Sequence, residues 1–174
     1  MKKIIILTTA LLAGILYAGT KVGSSEKDSF EQTPISINAF AHDLEGAAAH
    51  RAKRRINAKT FLKYAEDKGT IILDTRSKAK YNLRHIKGAL HLNFSDFTKE
   101  SLAKVIPNKE TRVLIYCNNN FYGDPSAFPA KSIATALNIP TFINLYSYGY
   151  ENIYELGSYE SVFKTNIQLV GQSN

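Results

Sequence analysis

The sequence predicts an open α/β fold, a mostly parallel sheet with helices on both faces. Three observations predict it. Short apolar, β-branched runs recur along the chain, at Thr70–Asp74, Ala89–Phe94, Arg112–Tyr116 and Thr141–Leu145. Between them lie segments whose apolar residues repeat at helical spacing, and strands alternating with helices build parallel sheets. Helix start and stop signals also sit at the junctions, with Asn57, Ser77 and Ser95 as caps and Gly69, Pro107 and Gly157 as stops.

Residues 1–18 read as an export signal, with Lys2 and Lys3 before the apolar run Ile4–Leu16 and small residues at Ala18-Gly19. The run is short for a spanning helix; an uncleaved N-terminal anchor is the alternative to cleavage. Residues 19–34 are polar and aperiodic, a flexible tether. Residues 35–54 form a helical N-terminal extension, with Ile37, Phe40, Leu44, Ala47 and Ala48 spaced to pack on the domain. The basic run His50–Arg55 closes it. It reads as a solvated helix end whose cations face the C-terminal dipole, rather than as an anion or lipid patch.

Residues 55–157 carry the regular pattern. Asn57 caps a helix that turns Phe61, Leu62 and Ala65 inward, and the strand Thr70–Asp74 follows. Ser77–Leu83 is a short helical segment, His85–Gly88 a turn, and Ala89–Phe94 a second strand. Ser95 caps a helix burying Phe97, Leu102, Val105 and Ile106. The third strand, Arg112–Tyr116, runs into a polar loop. Ala130, Ile133, Ala134 and Leu137 then predict a helix, with Pro129 in its first turn and Asn138-Ile139-Pro140 at its end. Thr141–Leu145 reads as the fourth strand and Gly149–Leu156 as the last helix. Residues 158–174 are a C-terminal tail carrying Tyr159, Phe163 and Ile167.

Composition excludes several function classes. With one cysteine in 174 residues, no intramolecular disulfide, Cys-x-x-Cys redox pair or cysteine zinc site can form. The net charge of +7 is a mild bias toward anionic small molecules, not a nucleic-acid signature. Neither glycine-rich phosphate fingerprint is present, no cofactor motif appears, and His91 has no second histidine at metal-ligand spacing.

That single cysteine, Cys117, stands where ligands bind in open α/β sheets, at the C-terminal end of a strand. A helix beginning after the loop would aim free N–H groups back at it, favouring the thiolate. The competing reading is a small apolar residue closing a buried strand.

Three pieces in order, Ile71–Arg76, then Tyr81 with His85–Asn93, then Val113–Cys117 followed by Ala136–Pro140, Asn144-Leu145-Tyr146 and Gly149-Tyr150, resemble the rhodanese (sulfurtransferase) domain over about residues 55–157. The resemblance implies a rhodanese-like parallel sheet of five strands. It also implies that Cys117 accepts sulfane sulfur as a persulfide and passes it to a thiol or other nucleophile. It casts Asp74, Arg76 and His85 as structural. The loop Asn118–Pro125 departs from the family pattern: it holds no Arg or Lys, adds Asp124, and the first cation is Lys131. That argues against the phosphatase members of the family and against a small inorganic dianion such as thiosulfate. Asn118, Asn119, Asn120 and Gly123 are expected to aim amides at the bound sulfur as a nest. Phe121 and Tyr122 would form an apolar lip, and Lys131 completes the substrate-binding set. The expected partners are a small sulfur-containing donor and a thiol acceptor, with room for a protein partner and no membrane contact beyond the N-terminal anchor. The expected location is periplasmic or secreted. Against this stand a catalytically inactive binding module, which would use the Ile35–Arg55 surface, and a thiol-sensing module in which Cys117 is oxidised.

Overall fold

The computed structural model describes residues 34–172. The export signal at 1–18, nearly all of the tether at 19–34 and the last two residues lie outside the described residues. In chain order the elements are α1 (Ile37–Arg51), β1 (Arg55–Ile56), α2 (Ala58–Glu66), β2 (Ile71–Asp74), α3 (Lys78–Leu83), β3 (His85–Ile86), β4 (Leu90–His91), α4 (Lys99–Val105), β5 (Val113–Tyr116), β6 (Phe121–Tyr122), α5 (Asn138–Ser147), β7 (Ile153–Leu156), β8 (Glu160–Ser161) and β9 (Leu169–Val170).

Five strands form the parallel sheet, in the order β1-β7-β5-β2-β4. Their side chains alternate between two cores, as the period of two requires. Leu73, Val113, Ile115 and Ile153 face Ala47 of α1, Leu102 of α4 and Phe142 and Leu145 of α5. Ile72, Leu114, Tyr116 and Leu156 face Phe61 of α2, together with Phe121, Phe128 and Ile167. Asn57 and Ser77 cap α2 and α3 as expected.

The first half follows the sequence reading closely, with two corrections. Ser95 lies in a 3-10 turn, and α4 is capped instead by Thr98, whose side chain and that of Ser101 exchange hydrogen bonds with each other's backbone N–H. In α1 only Ala47 is buried, while Ile37, Phe40 and Leu44 are exposed.

The second half differs more. Residues 129–137 hold only a 3-10 turn, Ile133–Thr135, and Ile133 is exposed. The helix starts at Asn138, where it was expected to end. Pro140 sits in its first turn, where a backbone N–H has no helical acceptor to lose. The expected strand Thr141–Leu145 is therefore the body of α5. The expected helix Gly149–Leu156 is instead the strand β7, lying between β1 and β5. Both segments are short apolar runs that fit either state. Thr141, Phe142 and Leu145 all bury on one helical face, while Ile153 and Leu156 take opposite faces of the sheet. The tail is docked: β8 pairs with β6, β9 pairs with β3, and Ile167 is buried. Among the described residues, no helix is long and apolar enough to cross a membrane.

Candidate active site

Sheet register assembles the site. Arg55 of β1 is level with Glu155 of β7, which is level with Ile115 of β5. In a parallel sheet, level residues point to the same face. Cys117 lies two residues beyond Ile115 in extended backbone (φ −144°, ψ −171°), so its side chain leaves on that same face. Arg51, in the last turn of α1, descends on this row and grips Glu155 from above.

Cys117 is buried, with 2% of its surface exposed. Burial pushes its thiol up, and the nearby Glu155 carboxylate adds to the rise. Opposing this, the backbone N–H groups of Asn138, Asn119 and Leu137 favour the thiolate, without reversing the rise. Two of these three donors belong to the N-terminal end of α5, where helical N–H groups have no internal acceptor. The anticipated helix end does face the cysteine, but it comes from a helix starting at residue 138.

The Asn120 side chain ties this arrangement together. Its Oδ1 accepts from the Cys117 N–H at 2.8 Å and from Asn138 Nδ2 at 3.0 Å. Its Nδ2 donates to the carbonyls of Leu156 at 2.7 Å and Ser158 at 3.1 Å. One buried amide thus links the end of β5, the start of α5 and the end of β7. The Asn119 side chain exchanges two hydrogen bonds with the backbone of Lys131, at 2.8 and 2.9 Å, pinning the following segment.

The sulfur opens on a pocket of about 210 Å³ lined by Arg51, Arg55, Glu155, Ile133, Ile139 and Tyr159 among others. Arg51 donates from Nε and Nη2 to both carboxylate oxygens of Glu155, and Arg55 Nε lies 3.5 Å from Oε1. The expectation that Lys131 is the cation of the site is therefore corrected. Two arginines stand beside the cysteine, delivered by α1 and β1 rather than by the loop. The basic run is not simply a solvated helix end, although Lys53 within it is exposed.

Other expected site residues lie elsewhere. Phe121 is buried in the core against Phe128, at 4.7 Å between ring centroids, and forms no lip. Tyr122 is half-exposed and packs on Tyr159. Gly123 (φ +97°) makes a turn against Phe163 and lines a different pocket. Asp124 accepts from the Ala127 N–H and pairs with Arg84 at 3.0 Å, so its charge is spent away from the sulfur. Asn118 and the Lys131 side chain line a separate hollow of about 420 Å³ beside Arg76. Asn119 and Asn120 lie at the cysteine pocket, yet their side chains serve the scaffold.

Asp74 and Arg76 form a buried pair in which Arg76 Nε and Nη2 bind both carboxylate oxygens, and Arg76 also donates to the carbonyls of Ala127 and Arg84. The Tyr116 hydroxyl donates to Asp74, and burial next to that carboxylate pushes the phenol well up. His85 stacks on Tyr81 at 3.8 Å and donates from Nδ1 to its carbonyl at 2.8 Å. His91 Nε2 donates to the Arg76 carbonyl at 2.8 Å. Sequence reasoning missed Arg51, Arg55, Glu155 and Asn138. The signal that could have found the first two was the density of arginines just before the first sheet strand.

A family model described as the rhodanese-like domain matches residues 57–162. Among solved structures, the chain is similar to the BH2092 protein of Bacillus halodurans, at 18% identity over 77% of this chain and 85% of that one, with a TM-score of 0.49. It is similar to the rhodanese-like domain of the Alr3790 protein of Anabaena sp., at 24% identity over 68% and 80%, with a TM-score of 0.45. A third is a rhodanese with anions from E. coli, at 19% identity over 59% and 99%, with a TM-score of 0.40. No curated protein matches the chain.

Proposed function

From the premise that this chain belongs to the rhodanese-like domain family, we propose that it is a sulfurtransferase carrying sulfane sulfur as a persulfide on Cys117. The observation that carries the reading is the place of Cys117, at the C-terminal end of β5 on a pocket it shares with Asn138 in the first turn of α5. The free N–H groups of that helix end favour a sulfur anion, against the burial that raises the thiol.

The Cys117 thiolate attacks the outer sulfur of an organic persulfide R–S–SH. The donor's S–S bond breaks and its electron pair leaves with R–S⁻, while the new bond yields Cys117–S–SH. An acceptor thiolate then attacks the outer sulfur and Cys117 departs as thiolate, so there is no net oxidation. The donor is a small sulfur compound and the acceptor a thiol. An exported setting is part of the same reading, supported by Lys2, Lys3 and the apolar run Ile4–Leu16.

The burial of Cys117 favours a second reading, a catalytically silent binding module built on the same fold. One experiment separates them. The purified protein and Cys117→Ser are incubated with thiosulfate or with glutathione persulfide, and intact masses are taken. Gain of one sulfur by the wild type alone, removable by cyanide or a thiol, is the expected result. If neither donor labels folded protein, the sulfurtransferase reading fails and the silent module replaces it.

A further inference from the structure

We propose that Arg51 is a positioning residue for the Cys117 chemistry: α1 carries it into the pocket, where it holds the Glu155 carboxylate and so sets the reactivity of the thiol. Its bearing on sulfur transfer rests on the sulfurtransferase reading; its action on the thiol does not.

Glu155 creates the need for such a residue. Its side chain is 4% exposed, it lines the Cys117 pocket, and its negative charge works against a thiolate there. Among the described residues, the ionisable side chains that line the pocket beside Cys117 are Arg51, Arg55, Glu155 and Tyr159. Of these, the two arginines are the groups that can offset the carboxylate. Arg51 donates from Nε and Nη2 to both carboxylate oxygens, the second bond at 2.7 Å, and its side chain is 26% exposed. Arg55 Nε lies 3.5 Å from one of those oxygens, on a side chain 52% exposed. Charges shielded from water interact more strongly than exposed ones. Arg51 is therefore the stronger partner, and Arg55 remains to keep Glu155 ionised when Arg51 is removed.

The fold holds Arg51 to this task. It stands in the last turn of α1, and the contacts that dock this helix lie outside the pocket. Ala47 is buried, Asp43 accepts from the Ser147 hydroxyl at 2.6 Å, and His50 Nε2 donates to the Glu151 carbonyl at 2.6 Å. The helix is thus fixed on α5 and on the segment before β7, and its C-terminal end delivers the guanidinium to the carboxylate. A two-pronged guanidinium fixes the orientation of a carboxylate as well as offsetting its charge, which an ammonium does only as a point charge. Arg51 precedes the segment matched by the family model, so this control over the cysteine arrives with the N-terminal helix.

The test is the pH profile of Cys117 alkylation by iodoacetamide, a neutral reagent, followed by intact mass. The thiolate sulfur bonds to carbon, and iodide leaves with the electron pair. The ultraviolet absorbance of the thiolate, taken as a difference against Cys117→Ser, gives the same titration without a reagent. In Arg51→Gln the profile is expected to move to higher pH and the rate at neutral pH to fall about tenfold. Arg51→Lys should recover part of that loss. In Glu155→Gln the profile should move to lower pH. Removing Arg51 from that variant should change the rate by less than about threefold, since the carboxylate through which it acts is gone. Lys53→Gln removes the same charge from an exposed position outside the pocket and should leave the profile unchanged. Should Arg51→Gln fail to fold, Arg51→Lys takes its place in the comparison, with a smaller shift in the same direction. A rate in Arg51→Gln within about twofold of wild type overturns the proposal. So does an equal effect of removing Arg51 in both backgrounds, which would mean that it acts on the thiol without Glu155. Sulfur loading from glutathione persulfide is measured on the same variants. If the profile moves but no sulfur loads, the role of Arg51 stands and the sulfurtransferase reading falls. If sulfur loads while the profile does not move, the reverse holds.

Discussion

Asn120→Ala tests whether this residue is scaffold or substrate contact. Its side chain makes four hydrogen bonds, to the Cys117 N–H, Asn138 Nδ2, and the carbonyls of Leu156 and Ser158, and the residue is 6% exposed. Truncation leaves those partners without the amide in a site that admits little water. A net hydrogen bond contributes about 0.5–1.5 kcal/mol, and a buried group left unpaired costs ~1–3 kcal/mol. Because the partners are neighbours, their losses are not additive. An overall destabilisation of about 2–4 kcal/mol is expected, which with a urea slope of roughly 2 kcal/mol/M lowers the unfolding midpoint by about 1–2 M. The assay is urea unfolding followed by circular dichroism, with the Cys117 alkylation rate measured in parallel. Asn120→Asp should be at least as damaging, since it points a carboxylate oxygen at two carbonyls and adds negative charge beside the sulfur. A midpoint within error of wild type for Asn120→Ala, accompanied by a weakened donor interaction, would refute the scaffold role.

Two further outcomes follow from the same geometry. Burial raises the Cys117 thiol, so the folded state holds that proton more tightly than the unfolded chain, whose cysteine titrates near ~8.5. The unfolded state then binds fewer protons above that pH. The stability contributed by this group is complete below ~8.5 and is lost as pH rises through the folded value. Urea midpoints of wild type should therefore fall relative to Cys117→Ser between neutral and alkaline pH; parallel curves would contradict the burial effect. Phe121→Ala should cost about 3–5 kcal/mol, the usual loss for a buried aromatic, while leaving donor KM unchanged in the protein that stays folded. A change in KM with little loss of stability would restore Phe121 as a lip of the pocket.

The legibility of this chain depends on how far local signals could be checked by periodicity. Strands β2 and β5 were readable because Ile71–Asp74 and Val113–Tyr116 are short β-branched or apolar runs followed by polar residues. Cys117 was readable by its place at a strand end. After residue 125 the reading slipped by one element. Ala130, Ile133, Ala134 and Leu137 have helical spacing but no surface to bury against, and Ile133 ends 88% exposed. Once that false helix was accepted, α5 had to become a strand and β7 a helix. The resemblance to a known family rests largely on the segments before the slip, Ile71–Arg76, His85–Asn93 and Val113–Cys117, and the family model matches residues 57–162. The pocket walls were not legible for a different reason. Arg51 and Arg55 reach Cys117 through sheet order and register, and β1 pairs with a strand about 100 residues later in the chain.

The arginines also bear on where the functional unit begins. Glu155 is buried beside the cysteine, and alone it would oppose any anion on the sulfur. Leaving a buried carboxylate unpaired is costly, and the pair with Arg51 removes that cost. Arg51 is held in place because α1 docks through Ala47, the His50 ring against Tyr146, and the His50 Nε2 hydrogen bond to the Glu151 carbonyl at 2.6 Å. The pair with Arg51 offsets the Glu155 carboxylate, whose charge still adds to the rise of the Cys117 thiol against the N–H groups of Asn138, Asn119 and Leu137. Residues 37–55 therefore supply two of the charged groups that line the Cys117 pocket, Arg51 and Arg55, although they precede the segment that matches the family. A loop without a cation is not a defect in this arrangement. Cations reach the pocket from α1 and β1 instead, Arg55 on a strand whose register sets it level with Glu155.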